Sequence, residues 1–223
     1  MPLAIFDHDG VLVDTLKPHQ DSWVEMGRET GLPITAEIVL KTFGMTNAMI
    51  LRGLLGESLS DAEIRAYSDR KEARYRDLAR GRIELMAGVR PFLDAMTAAG
   101  ALLAIGSSGV RANLELTVEE CGLRGRFAAI VAGEDVGRGK PDPQVFLLAA
   151  ERARVAPADS IVFEDAPVGI LAAKAAGMLA VGVTSSHDAD ALRAAGADVV
   201  VPDLSRCDPR GLLARLDRSQ SGL

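Results

Sequence analysis

The sequence is poor in features that would indicate a secreted, zinc-binding or membrane protein. It holds two cysteines, Cys121 and Cys207, which stand far apart and outside any Cys-x-x-Cys or Cys/His cluster. No apolar run approaches the roughly 18 residues of a membrane span, and no basic segment precedes a long apolar stretch at the N-terminus. We therefore expect neither a disulfide framework nor a zinc site, and we predict a cytoplasmic protein with reduced thiols and no membrane insertion.

The sequence also lacks an excess of basic residues. Its 25 Lys+Arg against 31 Asp+Glu give a formal net charge of −6. Binding of nucleic acid or of an anionic membrane through a broad basic surface is excluded by this balance, whereas a local site for a small anion is not. The 223 residues exceed a typical domain of roughly 150 residues, which leaves room for an insertion.

Short apolar runs alternate with helix-length segments along much of the chain. An Ala-rich stretch ends three times in Ala-Ala-Gly, at Gly100, Gly177 and Gly196, and an apolar run follows each time. Such a glycine suits the left-handed residue that ends a helix, and Pro91 stands where a proline begins one. The six predicted strands are residues 3–6, 102–105, 129–131, 160–163, 179–183 and 198–201. This alternation predicts an α/β fold, with a parallel sheet covered by helices on both faces.

Residues 15–85 interrupt this alternation. They contain no strand-like run, and Ser60-Asp61-Ala62-Glu63 is typical of a helix start. Their apolar residues recur at helical spacing, as shown by Trp23, Met26, Ile50, Leu51, Leu54 and Leu55. We predict that residues 15–85 form a helical domain, inserted into a core of residues 1–14 and 86–223.

Chemically active residues follow the predicted strands at their carboxyl ends. They are Asp7 and Asp9 after the first strand, Ser107 and Ser108 after the second, and Glu164 and Asp165 after the fourth, with Lys140 in a preceding turn. Parallel sheets bind ligands at this edge, so we expect these residues to share one crevice. Neighbouring carboxylates raise one another's pKa unless a cation is present, and a few oxygen ligands favour Mg²⁺. Together with a lysine and amide donors, they predict a site for a phosphoryl group.

Each of these signals has a simpler interpretation when it is taken alone. Asp9-Gly10 is also common turn chemistry, and an Asp after a strand is often a helix cap. Ser107 is a candidate cap for the following helix, and a lysine such as Lys140 in a Pro-rich turn is usually solvated. The phosphoryl interpretation depends on all four signals occurring in order at strand ends.

The segment from Phe6 to Thr15, FDHDGVLVDT, resembles the first motif of the haloacid dehalogenase-like phosphohydrolases. Ser107, Lys140 and the pair Glu164-Asp165 fall where the second, third and fourth motifs of that family stand. The resemblance spans residues 3–201 and implies a Rossmann-like core. The helical insertion looks like the cap of the subgroup that includes phosphoglycolate phosphatase, sugar-phosphate phosphatases and β-phosphoglucomutase.

The resemblance implies a role for each acidic residue. Asp7 would attack phosphorus to form an aspartyl-phosphate. Asp9 would protonate the leaving alkoxide and then take a proton from the attacking water. Mg²⁺ would be held by the carboxylates of Asp7 and Asp165 and by the backbone carbonyl of Asp9. Glu164 would either coordinate the ion directly or contact one of the groups that coordinate it.

Phosphate binding is implied for the loop after the second strand. Ser107 would contact the phosphate oxygens, helped by the amides of Ser108 and Gly10. Lys140 would neutralise both the nucleophile and the phosphate.

The resemblance extends into the helical insertion. His19 and Lys71 match positions that link cap closure to the general acid in the β-phosphoglucomutase subgroup, with Asp14 at the hinge. The alternative for His19 is a structural histidine. The alternative for Lys71, which lies in a run of charged residues, is a solvated helix face.

The loop that contains Thr46 and Asn47 looks like the substrate loop of the cap but departs from the mutase pattern. Where Asn47 stands, the mutase has an arginine that grips the distal phosphate, and Arg52 is the candidate substitute here. Loss of a bidentate clamp weakens a bisphosphorylated intermediate more than a monophosphate. We therefore predict a phosphatase acting on a small metabolite, namely a sugar or polyol phosphate or a phosphoglycolate-like ester.

Two alternatives remain at this point. The nearest is a β-phosphoglucomutase-type mutase, and the non-enzymatic one is a regulatory binding protein on a phosphatase fold. Asp9 disfavours dehalogenase and phosphonatase activities, since those relatives typically lack an acid there. We expect a small-molecule phosphate ester as the partner, with neither nucleic acid nor membrane.

Overall fold

The structure, a computed structural model, describes residues 1–56 and 58–220. Its strands are β1 (Leu3–Phe6), β2 (Leu102–Gly106), β3 (Ala129–Val131), β4 (Ser160–Glu164), β5 (Leu179–Val183) and β6 (Val199–Val201). They form one sheet in the order β3-β2-β1-β4-β5-β6, and every neighbouring pair is parallel. Each strand matches a predicted run to within one residue at either end, so the predicted α/β fold class is confirmed.

Helices connect the strands and form the segment between β1 and β2. They are α1 (Leu16–Thr30), α2 (Ala36–Lys41), α3 (Asn47–Leu55), α4 (Asp61–Ala79), α5 (Val89–Ala98), α6 (Arg111–Glu120), α7 (Gln144–Ala153), α8 (Pro167–Ala175), α9 (Ala189–Ala194) and α10 (Pro209–Gln220). No helix in the described part of the chain is long and apolar enough to cross a membrane.

The sheet is buried on both faces. In β1, Ala4 and Phe6 join a cluster with residues of α5, α6 and α10, while Leu3 and Ile5 join a second cluster with residues of α7, α8 and α9. Alternate side chains of a strand point to opposite faces, so a continuous apolar run is what such a strand requires. The rings of Phe6 and Phe163 stack at 4.7 Å between centroids and tie β1 to β4.

The predicted helix ends are confirmed at the three glycines. Gly100, Gly177 and Gly196 have φ angles of 87°, 73° and 101°, which is the left-handed region that favours glycine. The predicted start of a helix at Pro91 is wrong, because α5 begins two residues earlier, at Val89. Proline is tolerated there because the first N–H groups of a helix have no intrahelical partner.

Helices α1 to α4 have a hydrophobic core of their own. Trp23, Met26 and Leu51 are buried in it, and α1 packs along α4. Helix α4 begins with the predicted capping box: Ser60 Oγ accepts from the amide of Glu63, and the carboxylate of Glu63 accepts from the amide of Ser60. The helical segment therefore holds together by its own burial and capping.

The chain enters and leaves the helical segment through two adjacent connections. Val13 forms an antiparallel bridge with Leu85, and the amide of Met86 donates to the carbonyl of Leu12 at 2.9 Å. The division into a cap of residues 15–85 and a core of the remaining residues stays a prediction.

Candidate active site

Parallel pairing places the residues that follow β1 and β2 beside the end of β4. The C-terminal ends of the three strands are in register, which brings Asp7, Ser107 and Glu164 together. The amide of Asp7 donates to the carbonyl of Phe163 at 2.9 Å, and the amide of Ser107 donates to that of Val131 at 3.0 Å. These bonds extend the sheet by one residue and orient the side chains that follow.

Three carboxylates form a buried cluster at this edge. Oxygen atoms of Asp7, Glu164 and Asp165 lie within 4.8 Å of one another. Burial is the main cause that raises the pKa of Asp7 from 3.8 to about 7, and burial with the neighbouring Glu164 raises the pKa of Asp165 well above its ordinary value. Gly10 lies against Asp165 with a φ of 77°, and a Cβ atom there would come within 1.9 Å of the carboxylate. The cluster has the donor chemistry of a divalent-cation site.

Lys140 partly neutralises this cluster. Its Nζ atom lies 2.9 Å from Oδ1 of Asp7 and 2.5 Å from Oε1 of Glu164. Burial alone would lower the pKa of Lys140, but the two carboxylates outweigh it and raise the pKa above 10.5. Oε2 of Glu164 accepts from the amides of Asp165 and Ala166 at 2.9 and 3.0 Å. Both oxygens of Glu164 therefore already have protein donors.

The carboxylate of Asp9 lies apart from this cluster and is held by other side chains. Its Oδ1 atom accepts from Nδ1 of His8 at 3.0 Å and from the hydroxyl of Thr15, and it lies 3.3 Å from Nε2 of His19. Burial would raise the pKa of Asp9, but His8 and His19 outweigh it and hold the pKa well below 3.8. Asp9 is therefore ionised, which is the form that accepts a proton.

The protonation of His19 follows from its two neighbours. Nζ of Lys71 lies 2.6 Å from Nδ1 of His19. An ammonium group can only donate, so Nδ1 accepts and the proton of the neutral ring is on Nε2, towards Asp9. Burial and then Lys71 lower the pKa of His19, in agreement with a neutral ring. The His19 ring also stacks on Tyr75 at 4.0 Å between centroids.

Glu72 lies at the centre of a second cluster of hydrogen-bonded side chains beside the cavity. Its Oε1 atom accepts from Nζ of Lys71 and from Nδ2 of Asn47, both at 2.8 Å. Its Oε2 atom accepts from Nδ2 of Asn113 at 2.6 Å, and Arg76 donates to Oδ1 of Asn113 at 3.2 Å. Because Asn113 lies on α6 and the other partners lie on α3 and α4, these bonds join the helical segment to the sheet core.

The loop after β2 lines the same cavity. Ser107 is buried, and its hydroxyl accepts from the amide of Gly109 at 3.0 Å, while Ser108 lines the cavity beside it. The predicted help of the Gly10 amide in phosphate binding is wrong in this conformation, because that amide donates to the carbonyl of Val13 at 2.8 Å.

Most of the predicted site residues surround one cavity between the helical segment and the strand ends. It is lined by Asp7, Asp9, His19, Trp23, Val39, Thr42, Phe43, Gly44, Met45, Asn47, Ile50, Lys71, Glu72, Ser107, Ser108 and Gly109. Lys71 is 1% exposed, so its alternative interpretation as part of a solvated helix face is wrong. Lys140 and the pair Glu164-Asp165 lie behind this lining, in contact with or close to Asp7.

Two residues of the predicted substrate loop have other roles. Thr46 caps α3 by accepting from the amide of Met49, and it does not line the cavity. Arg52 lies 3.0 Å from the carboxylate of Asp61 and donates to the carbonyl of Leu59. The suggestion that Arg52 replaces the missing arginine is therefore wrong, because its guanidinium is held at the start of α4.

Sequence reasoning missed four residues of this arrangement: His8, Thr15, Glu72 and Asn113. The position of His8 between two aspartates could have indicated its role, and the position of Glu72 next to Lys71 could have indicated that of Glu72. Asn113 carried no signal, because its partners lie about 40 positions away in the chain.

A parallel α/β core with carboxylates, a lysine and a serine at its strand ends defines an enzyme of phosphate chemistry. Residues 4–183 match the family model described as haloacid dehalogenase-like hydrolase. The chain therefore belongs to the haloacid dehalogenase-like hydrolase family.

Relatives and solved structures agree with this assignment. The chain is 33% identical over 209 residues to validoxylamine A 7'-phosphate phosphatase of Streptomyces hygroscopicus subsp. limoneus, covering 91% of this chain and 94% of the relative. It is 33% identical over 181 residues to fructose-1-phosphate phosphatase of Escherichia coli (strain K12), covering 80% and 94%. It is 30% identical over 212 residues to β-phosphoglucomutase of Bacillus subtilis (strain 168), covering 92% and 91%.

Among solved structures, a hydrolase from Pseudomonas syringae superimposes with a TM-score of 0.83 at 27% identity, over 98% of this chain and 99% of that one. The predicted family and the predicted enzyme class, a phosphoric monoester hydrolase, are confirmed by these matches.

Proposed function

We propose that this protein is a Mg²⁺-dependent phosphatase that hydrolyses a small phosphorylated metabolite through an aspartyl-phosphate on Asp7. The observation that carries the proposal is the buried cluster of Asp7, Glu164 and Asp165 beside Lys140, at the floor of a cavity that Asp9 and Ser107 line. One lysine does not balance three carboxylates, in agreement with the raised pKa values of Asp7 and Asp165, and a bound cation would compensate the remaining negative charge.

Asp7 and Asp165 are the carboxylates that would hold Mg²⁺ directly, with the backbone carbonyl of Asp9. The oxygens of Glu164 already accept from Lys140 and from two amides, so its role is to fix the loop and the lysine. When bound, the ion supplies positive charge to the oxygens of the transferring phosphoryl group.

The family resemblance, together with the positions of the side chains around the cavity, supports the remaining roles. Asp9 is ionised without substrate and takes up a proton from solvent as the anionic phosphate binds. An oxygen of Asp7 then attacks phosphorus as the bond to the leaving oxygen breaks, and Asp9 gives this proton to the leaving oxygen. In the second step Asp9 takes a proton from water, the water oxygen bonds to phosphorus, and the bond to Asp7 breaks. Ser107 and Ser108 orient the phosphate, and Lys140 balances the charge on Asp7.

We further propose that residues 15–85 act as a cap that closes over the strand ends. His19 and Lys71 would couple closure to catalysis, since His19 reaches Asp9 from the helical segment and Lys71 contacts His19. Asp14 lies between the paired connections and the first helix, at the position of a hinge. Closure would exclude water from the phosphoryl group during the first step.

A sugar or polyol phosphate, or a phosphoglycolate-like ester, is the proposed class of substrate. The names of two relatives, phosphatases of validoxylamine A 7'-phosphate and of fructose 1-phosphate, support polyhydroxy leaving groups. A mutase is less supported, because Asn47 stands in place of a phosphate-gripping arginine and Arg52 is engaged elsewhere. A location in the cytoplasm stays a prediction.

The proposal is tested by phosphate release from a panel of phosphorylated metabolites, with Mg²⁺ present and with the ion chelated. We expect turnover of at least one sugar or polyol phosphate that requires Mg²⁺ and that falls by about 10²- to 10⁴-fold in Asp9→Asn, the usual contribution of a general acid-base. The exposed Asp190→Asn serves as the control and keeps full activity. Release without Mg²⁺, or undiminished turnover by Asp9→Asn, contradicts the mechanism.

A further inference from the structure

The charges of the cavity are distributed unevenly between its two walls. On the wall formed by the strand ends, the phosphate would meet Ser107 and Ser108, with Lys140 behind Asp7. On the helical wall, Lys71 and Glu72 are the charged pair, with Nζ and Oε1 at 2.8 Å. The charge of Lys71 is therefore already balanced before any substrate enters.

No arginine among the described residues lines this cavity. Arg76 contacts Asn113 behind Glu72, and Arg52 is held by Asp61. A second phosphate or a carboxylate on the substrate would find no unbalanced cation on the helical wall. It would lose its hydration in this buried space, where the charge of Lys71 is already taken up by Glu72 and no other cation compensates it.

The same wall suits an uncharged, hydroxyl-bearing group. Trp23, Val39, Phe43 and Ile50 offer apolar surface for a carbon skeleton. Lys71, Asn47 and Asn113 occupy three of the roughly four acceptor positions of the Glu72 carboxylate, so one position on Oε2 remains for a hydroxyl or ammonium group. Burial would raise the pKa of Glu72, but Lys71 and His19 outweigh it and lower the pKa, so the group is a carboxylate.

We propose that Glu72 is the specificity-determining residue of this cavity, and that it selects phosphate monoesters of neutral or cationic polyhydroxy compounds against those with a second anionic group. This rests on the proposed phosphatase function and narrows it, since bisphosphates and phosphoglycolate-like esters are then poor substrates. Asn47 supports this selectivity, because its side-chain amide donates to Glu72 and carries no charge. An arginine at this position would attract an anionic group of the substrate.

The test compares kcat/KM across three charge groups of monophosphates with Mg²⁺ present. Glucose 6-phosphate, fructose 1-phosphate and glycerol 3-phosphate are the neutral group, glucosamine 6-phosphate is cationic, and 6-phosphogluconate and phosphoglycolate are anionic. We expect the best neutral or cationic ester to exceed the best anionic ester by about tenfold or more. Glu72→Gln should reduce that ratio about tenfold, mainly by improving the anionic esters.

Asp69→Asn removes an acid from the exposed side of the same helix and is the matched control, expected to leave the ratio unchanged. Asn47→Arg is the second variant should Glu72→Gln fail to fold, and it should raise kcat/KM for anionic esters. Equal use of all three groups, preference for an anionic ester, or a ratio that neither variant moves overturns the role of Glu72 while the phosphatase function stands. No phosphate release from any ester of a wider panel overturns both.

Discussion

Nζ of Lys140 donates to Oδ1 of Asp7 across 2.9 Å, although the two residues stand 133 positions apart in the chain. Replacement by methionine would keep much of the side-chain volume and leave the buried carboxylates of Asp7 and Glu164 without their cation. We expect Lys140→Met to lower kcat by about 10²- to 10³-fold, the cost of removing one fixed electrostatic partner. Steady-state phosphate release measures this. Lys41→Met, at an exposed lysine, is the control, and a loss of kcat no larger than in this control would contradict the prediction.

The carboxylate cluster predicts how Mg²⁺ stabilises the fold at different pH. Burial raises the folded-state pKa of Asp7 from 3.8 to about 7, so the folded chain binds more protons than the unfolded chain between these values. The contribution of this group to the free energy of unfolding therefore falls as pH rises through that window in the metal-free protein. Mg²⁺ compensates the charge that appears, and we expect a larger rise in Tm on adding Mg²⁺ at about pH 7.5 than at about pH 5.

Thermal unfolding with Mg²⁺ or a chelator at the two pH values measures this difference. Asp165→Asn should reduce the Mg²⁺-induced rise in Tm at the higher pH. An equal rise at both pH values would show that the cluster does not bind the ion as proposed.

His8 is predicted to position Asp9. Its Nδ1 atom lies 3.0 Å from Oδ1 of Asp9, and its Nε2 atom lies 2.8 Å from the hydroxyl of Thr117, so the ring is fixed from both sides. We expect His8→Leu to lower kcat about tenfold with little change in KM, which corresponds to the loss of roughly one hydrogen bond to a charged group. His8→Asn retains a donor near the position of Nδ1 and should recover most of kcat. Equal losses in the two variants would indicate a packing role only.

Asn113 is predicted to stabilise the closed arrangement of the two walls. It donates to Glu72 and accepts from Arg76, both on α4, while lying itself on α6. Asn113→Ala removes both bonds, each worth roughly 1 kcal/mol, and we expect KM to rise by about 30-fold. Glu115→Ala, on the exposed side of α6, is the control for changes in that helix. Unchanged KM in Asn113→Ala would mean that these bonds do not limit closure.

Local patterns were sufficient for the fold because each depends on neighbours in the chain. The apolar runs predicted six strands to within one residue at either end, and Gly100, Gly177 and Gly196 predicted three helix ends. The capping box at Ser60 and Glu63 is likewise a local signal. Pro91 misplaced a helix start by two residues, because the first turn accepts proline at more than one position.

The site was predicted less completely, and the reason is distance along the chain. Local motifs identified Asp7, Asp9, Ser107, Lys140 and the Glu164-Asp165 pair because each stands at the end of a strand or in a distinct turn. Of the contacts of Glu72, only that with the adjacent Lys71 is local, since Asn47 lies on α3 and Asn113 on α6. The positions of Thr46 and Arg52 in the chain predicted contact with the substrate. In the structure their hydrogen bonds stabilise the starts of α3 and α4 instead.

The sequence by itself thus determines an α/β core and a hydrolase site with carboxylates at the strand ends. Local residue types are enough for this, because each strand and each polar residue after it can be recognised from its neighbours in the chain. Tertiary packing decides which charges remain available in the cavity. Lys71 and Glu72 are adjacent in the chain, but packing of α4 against α1 and α6 buries them beside His19 and Asn113. Packing of α3 against α4 likewise brings Arg52 to Asp61. Buried charges act through their spatial neighbours, so the selectivity of the site is a property of that packing.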